Sequence, residues 1–100
     1  MDVTCKSTTL GKDYIGVQNT TVNGRTCQRW DSQSPHSHTR NDPAMFPDAT
    51  LAEINNYCRN PDDESGPWCY TTSILFRWEF CPVELCPGNY MIANVKNYIL

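Results

Sequence analysis

The residues in this sequence that are best suited to chemistry are its six cysteines: Cys5, Cys27, Cys58, Cys69, Cys81 and Cys86. They could hold a zinc ion or pair as disulfides. Structural zinc sites favour cysteines separated by two to four residues, but only Cys81 and Cys86 are that close, and the other gaps are 21, 30, 10 and 11 residues. An even number of widely spaced cysteines in a short chain favours disulfides and an oxidising, extracellular compartment. Spacing alone leaves open all 15 ways of pairing six cysteines.

His36 and His38 are the other residues typical of metal sites. No third ligand is evident once the cysteines are paired, so we expect no metal and no cofactor. Nucleophilic catalysis requires an activated serine or cysteine, and the sequence has no Gly-x-Ser-x-Gly segment that would supply one. We therefore predict that the protein is not an enzyme.

Other features bear on location and partners. Asn19 begins Asn-Thr-Thr, an acceptor sequence for N-glycosylation that fits an extracellular surface loop. A net charge of −3 and eight scattered basic residues disfavour nucleic acids and glycosaminoglycans as partners. No apolar run approaches the roughly 18–20 residues of a membrane-spanning helix, so membrane insertion is not expected.

The amino-acid composition indicates which interactions stabilise the fold. Leu, Ile, Val and Phe make up 18 of the 100 residues, which is below the roughly 20% at which a chain normally builds an aliphatic core. Three tryptophans and five tyrosines supply aromatic area instead, and each disulfide that closes a long loop adds roughly 3–4.5 kcal/mol in the chain-entropy model. We therefore expect a small disulfide-rich domain with Tyr14, Trp30, Phe46 and Leu51 in its core.

Turn-forming residues divide the sequence into short elements. Asn23-Gly24, between Val-containing and Thr-containing flanks, predicts a hairpin turn. Aromatic content and alternation favour short strands over residues 28–30, 68–72 and 77–81, and the apolar spacing over residues 51–57 allows at most one helical turn. The predicted architecture is loops and a few short β-hairpins packed around disulfides and aromatic side chains.

The stretch from residue 57 to 81 carries the most specific pattern. The segment Asn-Tyr-Cys-Arg-Asn-Pro from residue 56 and the segment Gly-Pro-Trp-Cys-Tyr-Thr-Thr from residue 66 resemble the signatures of kringle domains, as do Asp-Tyr-Ile-Gly from residue 13 and Cys-Gln-Arg-Trp from residue 27. The resemblance covers residues 5–86 and implies a kringle fold. It also implies the pairing Cys5–Cys86, Cys27–Cys69 and Cys58–Cys81. Residues 1–4 are then an N-terminal flank, and residues 87–100 are a linker or the start of a following domain.

Kringles of the plasminogen type have a shallow trough that binds free lysine and C-terminal lysines. The resemblance implies an anionic pair for the ligand's ammonium group, a cationic pair on opposite lips of the trough for its carboxylate, and aromatic walls for its methylene chain. By position these are Asp62 with Glu64, Arg40 with Arg77, and Trp68, Tyr70 and Trp78.

The chemistry of such a ligand accounts for these residue types. Methylenes favour flat apolar walls, and arginine binds a carboxylate with paired donors. Four buried methylenes contribute roughly 3 kcal/mol, exposed ion pairs roughly 0.2–1 kcal/mol each, and a cation–π contact about 0.5–1 kcal/mol. The sum predicts a Kd of roughly 0.05–1 mM. The expected partners are small ω-amino acids and proteins that present a C-terminal or exposed lysine, bound by a monomeric domain.

Two departures from the kringle pattern favour a different use of this surface. The second acid is usually Asp, whereas Glu64 is one methylene longer, and Asp63 adds a carboxylate that either strengthens the field or competes for the ammonium group. The segment Ile74-Leu75-Phe76 is unusually apolar and suits a contact patch. The alternative is therefore a protein–protein interaction module of a growth factor or receptor tyrosine kinase, in which the trough is unused and the partner binds residues 74–76.

Overall fold

The computed structural model describes residues 5–87, so the flank 1–4 and residues 88–100 of the predicted linker lie outside the described part. The regular elements are short and joined by turns and loops. In chain order they are a 3-10 helix at Pro43–Met45, a helical turn α1 at Leu51–Ile54, and strands β1 at Trp68–Tyr70 and β2 at Trp78–Phe80.

The two strands form an antiparallel pair in which Trp68 lies opposite Phe80 and Tyr70 lies opposite Trp78. Both lie within the predicted ranges 68–72 and 77–81. The prediction of a strand over residues 28–30 is wrong. Gln28 N does donate to Tyr70 O (2.7 Å), but Trp30 N donates instead to Asn55 O (3.0 Å) in another segment. The pairing therefore ends after a single bridge beside β1.

Local sequence accounts for the turns that flank these elements. Thr50 Oγ1 accepts a hydrogen bond from Glu53 N (3.1 Å) at the start of α1, as expected of an N-capping threonine. The predicted turn at Asn23-Gly24 is confirmed, because Gly24 has a φ of 80° and Thr21 N donates to Arg25 O across it (2.9 Å). Glycine adopts such positive φ values without steric cost.

The disulfides join Cys5 to Cys86, Cys27 to Cys69, and Cys58 to Cys81. This is the pairing that the kringle resemblance implies. The four sulfur atoms of the two inner disulfides lie within 4.8 Å of one another at the centre of the domain. No cysteine in the described residues is free, so these sulfurs are bonded to each other and cannot act as thiolate ligands of zinc.

The core is aromatic, as the composition predicts. Trp30 is fully buried, and its ring lies 5.1 Å from the ring centroids of both Phe46 and Trp68, in edge-to-face arrangements. Tyr14 is also buried, and Leu51 is partly buried against this cluster. Edge-to-face pairs at this distance each add about 0.5–1.5 kcal/mol beyond area burial. The strand pair therefore packs on this aromatic core through Trp68.

A buried arginine, Arg59, joins segments that are far apart in the sequence. The Arg59 side chain is 1% exposed and forms a two-pronged ion pair with Asp48, Nε to Oδ1 at 2.9 Å and Nη2 to Oδ2 at 3.0 Å. Its Nη1 also donates to Gly16 O (2.8 Å) and Cys58 O (2.7 Å). Four of the five N–H donors of this guanidinium are therefore used inside the protein, as a buried charge requires.

Candidate ligand-binding site

An open pocket of about 300 Å³ lies beside the strand pair. All seven residues that the resemblance assigned to a trough line this pocket together with Thr39, which sequence reasoning did not single out. The complete lining is Thr39, Arg40, Asp62, Glu64, Trp68, Tyr70, Arg77 and Trp78.

The strands position the aromatic side of the pocket. Trp68 and Tyr70 alternate along β1 and therefore share one face, and Trp78 lies opposite Tyr70 on β2. The three side chains differ in exposure. Trp68 and Tyr70 are buried, whereas Trp78 is 40% exposed. The Trp78 indole packs edge-to-face on Trp68 at 5.5 Å and so offers the largest free aromatic surface to a ligand.

Asp62 is held by two neighbours. Trp68 Nε1 donates to its Oδ1 atom (3.1 Å), and Arg40 Nε donates to its Oδ2 atom (2.9 Å). The buried Trp68 therefore orients the carboxylate more than it forms an open wall. Both carboxylate oxygens are engaged within the protein, although each retains a lone pair that can accept a further hydrogen bond.

The other two acids point to different places. Asp63 has a φ of 64°, and its carboxylate pairs with Lys12 Nζ at 2.7 Å, outside the pocket lining. Glu64 lines the pocket, and within residues 5–87 its carboxylate accepts no hydrogen bond. Asn60, which is buried, fixes this turn because its Oδ1 accepts from Glu64 N (2.9 Å) and its Nδ2 donates to Glu64 O (2.8 Å). Glu64 is therefore the acid with no partner of its own inside the pocket.

The two arginines that line the pocket also differ in whether they have a partner within the protein. Arg40 is paired with Asp62, and its Nη1 donates to Thr39 Oγ1 (3.0 Å). Arg77 is exposed, and its guanidinium carbon lies 5.2 Å from the centre of the Tyr70 ring. The resemblance implied that both arginines receive a ligand carboxylate. Among residues 5–87 the Arg77 guanidinium forms no hydrogen bond or ion pair, so its donors are free for a ligand, while Arg40 already has an anionic partner.

The two histidines have structural contacts behind the pocket. His36 Nε2 bonds to Ser73 O (2.8 Å) and His38 Nε2 to Ser32 O (2.9 Å). Arg40 N donates to His38 Nδ1 (3.1 Å), which makes Nε2 the protonated nitrogen of that ring. The His38 ring stacks on Tyr70 at 4.5 Å. Burial lowers the pKa of His38, with the positive charges of Arg77 and Arg40 acting in the same direction, and burial raises the pKa of Tyr70.

The apolar segment identified in the sequence lies next to the pocket. Ile74 and Leu75 are 77% and 80% exposed, and Phe76 is exposed with the Arg25 guanidinium 3.6 Å above its ring. The Thr71 hydroxyl holds the ends of this loop together, because it donates to Phe76 O and accepts from Ser73 N (3.1 Å). We call residues 74–76 the apolar loop. Its tip is outside the core, so Ile74 and Leu75 do not pack inward.

Comparison with known proteins agrees with this geometry. The family model described as "Kringle domain" matches residues 5–86. A human protein named "Putative apolipoprotein(a)-like protein 2" is 53% identical over 76 residues, which cover 76% of this chain and 55% of that protein. Plasminogen from Capra hircus is 50% identical over 76 residues, which cover 76% of this chain and 59% of that protein. The chain spans a little over half the length of these relatives.

The chain therefore belongs to the kringle family, and it is similar to kringles of the plasminogen type. Kringle domains are non-catalytic modules that typically bind proteins, which confirms the prediction that the chain is not an enzyme. Within the described residues, no helix is long and apolar enough to cross a membrane.

Proposed function

We propose that this kringle recognises lysine-like groups on extracellular partner proteins, namely a C-terminal or exposed lysine, and binds small ω-amino acids in the same way. The observation that carries the proposal is the convergence of Glu64, the exposed face of Trp78 and the free guanidinium of Arg77 on one open pocket. These groups match the ammonium, the methylenes and the carboxylate of the ligand in turn.

The structure refines the affinity expected of this site. Because Trp68 and Tyr70 are buried, the methylene chain of the ligand contacts mainly one aromatic wall and gains only part of the roughly 3 kcal/mol of full burial. Because Asp62 is already paired with Arg40, its attraction for an ammonium group is reduced. We therefore expect a Kd toward the weak end of the sequence-based range, about 1 mM. Tight capture of a partner would require several kringles acting together.

The disulfides and the exposed Asn19 support the extracellular location that the sequence predicts. The disulfides require an oxidising compartment to form and persist, and Asn19, the proposed glycosylation site, is exposed. Its sequon threonine, Thr21, is buried and donates to Glu79 Oε1 (2.5 Å). The proposed glycan therefore projects from Asn19 into solvent, outside the pocket lining.

A second candidate function rests on the apolar loop. Its residues are exposed next to Trp78, and the Thr71 hydroxyl bonds to both ends of the loop, so a partner would find an apolar patch at the surface. In this alternative the domain binds a protein of growth-factor or receptor type through residues 74–76 and leaves the pocket empty. Leu75→Ser would then weaken partner binding, whereas 6-aminohexanoic acid would not compete with the partner.

The test of the proposal is a titration with 6-aminohexanoic acid followed by tryptophan fluorescence. Saturable binding is expected near 1 mM, and Asp62→Asn should weaken it roughly two- to fivefold, because the pocket loses the negative charge of a carboxylate that Arg40 already partly neutralises. Asp13→Asn is the matched control, since Asp13 is an exposed acid outside the pocket lining. An equal loss in both variants, or no response at 10 mM ligand, would contradict the proposal.

A further inference from the structure

The apolar loop is joined to two parts of the pocket lining. Its last residue, Phe76, directly precedes Arg77, which lines the pocket. Just before its other end, Ser73 O bonds to His36 Nε2 (2.8 Å), and the segment that continues from His36 supplies Thr39 to the lining. The loop therefore borders the end of the pocket at which Arg77 offers its free donors.

Two side chains of this loop are free to contact a ligand. Among residues 5–87, Ile74 and Leu75 are the most exposed of the large apolar side chains, at 77% and 80%. The Thr71 hydroxyl ties the loop at both ends, because it donates to Phe76 O and accepts from Ser73 N (3.1 Å). A ligand that covers the two side chains removes apolar area from water without opening the core, and such burial favours binding.

The chemistry of a C-terminal lysine sets the direction in which a bound partner leaves the pocket. In the proposed function its ammonium group lies at Glu64 and its carboxylate at Arg77. The carboxylate and the peptide nitrogen are attached to the same Cα atom, so the preceding residues of the partner start at the Arg77 end. The Cα atom of Leu75 is at most about 7 Å from that of Arg77, and each residue of an extended partner spans roughly 3.3–3.6 Å. The second residue before the lysine is therefore within reach of the apolar loop, and in an extended chain its side chain points to the same face as the lysine side chain.

We infer that the pocket and the apolar loop bind the same partner, a C-terminal segment in which an apolar residue stands two positions before the lysine. This inference rests on the proposed function and adds the sequence class of the partner. It differs from the second candidate function, in which the loop binds its partner while the pocket stays empty. Such a segment gains affinity from Ile74 and Leu75 that a free ω-amino acid does not gain, because the amino acid has no residues beyond its carboxylate.

The test measures Kd values by NMR titration for 6-aminohexanoic acid and for two peptides with a free C-terminal carboxylate, acetyl-Leu-Ala-Lys and acetyl-Ser-Ala-Lys. The wild type should bind the leucine peptide roughly three- to tenfold more tightly than the serine peptide, as expected for partial burial of one leucine side chain. In the double variant Ile74→Ser, Leu75→Ser this ratio should fall below about twofold, while the Kd of 6-aminohexanoic acid stays at the wild-type value. The matched control is the double variant Ile15→Ser, Val17→Ser, because these residues are 48% and 65% exposed in another segment outside the pocket lining. It should keep the wild-type ratio.

Three results would overturn the inference. The first is a wild-type protein that binds the two peptides with equal Kd values. The second is a loop variant that keeps the wild-type ratio, or one in which 6-aminohexanoic acid weakens by the same factor as the leucine peptide. The third is a leucine peptide that 6-aminohexanoic acid does not displace, since the loop would then bind it without the pocket. A wild-type protein that does not bind 6-aminohexanoic acid would contradict the proposed function itself, which distinguishes the two failures.

Discussion

Trp78→Ala tests how much of the ligand's free energy of binding comes from one exposed indole. Trp78 is the most exposed aromatic wall of the pocket, at 40% against 3% for Trp68. Four methylenes lying against a single wall gain about half of their full burial, or about 1.5 kcal/mol, and a cation–π contact with the ammonium group adds about 0.5–1 kcal/mol. Loss of both, about 2–2.5 kcal/mol, corresponds to a roughly 30- to 70-fold increase in Kd.

The substitution should leave the fold intact. Trp78 contacts Trp68 at 5.5 Å and Phe80 at 5.1 Å, both edge-to-face, but a large part of its surface is in water. We therefore expect a loss of about 1–2 kcal/mol in the free energy of unfolding, less than the 3–5 kcal/mol typical of a buried tryptophan. The disulfides limit the consequences because they constrain the unfolded chain.

The assay for Trp78→Ala is an NMR titration of backbone amide signals with 6-aminohexanoic acid, because the variant lacks the tryptophan that reports binding by fluorescence. Leu75→Ala is the matched control, since Leu75 is 80% exposed on the neighbouring loop but outside the pocket lining. Its Kd should equal that of the wild type. A folded Trp78→Ala variant whose Kd stays within twofold of the wild-type value would refute the assignment of this indole to the binding surface.

Further predictions concern the second acid, the buried ion pair, pH and the disulfides. Glu64→Asp should leave the Kd for 6-aminohexanoic acid equal or lower, because the shorter side chain matches the usual kringle acid; a tenfold increase in the titration would mean that Glu64 is already well placed. Arg59→Ala should lower the free energy of unfolding in guanidinium chloride by about 3–5 kcal/mol, because it leaves the partly buried Asp48 without its partner; a loss below about 1 kcal/mol would contradict this. His38, whose pKa is lowered in the folded state from the ordinary 6.5, takes up its proton first in the unfolded state, so the Tm should fall as pH drops from about 7 to 5. The fall should be smaller in His38→Gln, and equal falls in both proteins would speak against His38 as the cause. Reduction of the disulfides should lower the Tm sharply, and an unchanged melting curve under dithiothreitol would show that they do not hold the fold.

The features that the sequence predicts well are those decided by short segments or by the kringle motif. Asn23-Gly24 specifies its turn locally, because glycine tolerates the positive φ found at Gly24. The disulfide pairing and the set of pocket residues came from the resemblance and not from spacing, which left 15 pairings open. The motif is specific because these residues occupy fixed positions relative to the cysteines.

The charge pairing inside the pocket could not be predicted from the sequence. Arg40 and Asp62 are 22 residues apart, and nothing in their local sequence indicates that they pair with each other and not with a ligand. The same holds for the successive acids at positions 62 to 64. Only the backbone conformation of Asp63, with its φ of 64°, sends that carboxylate to Lys12 and away from the pocket.

The sequence pattern also did not show which aromatic side chains are buried. Trp68 and Trp78 both lie in short strands with similar neighbours, yet β1 lies against Trp30 and the core whereas β2 lies at the surface. Residues 28–30 likewise had a strand-like pattern, but a strand needs a partner over several residues, and Trp30 bonds to Asn55 instead. Both outcomes depend on tertiary packing, which can override local propensity.

The most direct test of lysine-like recognition is an NMR titration with 6-aminohexanoic acid that follows the indole N–H signals of the three tryptophans. Trp30 is the internal control, because it is fully buried, does not line the pocket, and donates from Nε1 to Tyr57 O at 2.7 Å. Lysine-like recognition predicts that the Trp78 and Trp68 signals shift and saturate with one Kd near 1 mM, while the Trp30 signal, whose ring packs on Trp68, shifts much less. The absence of any shift at 10 mM ligand, or equal shifts of all three signals, would contradict it.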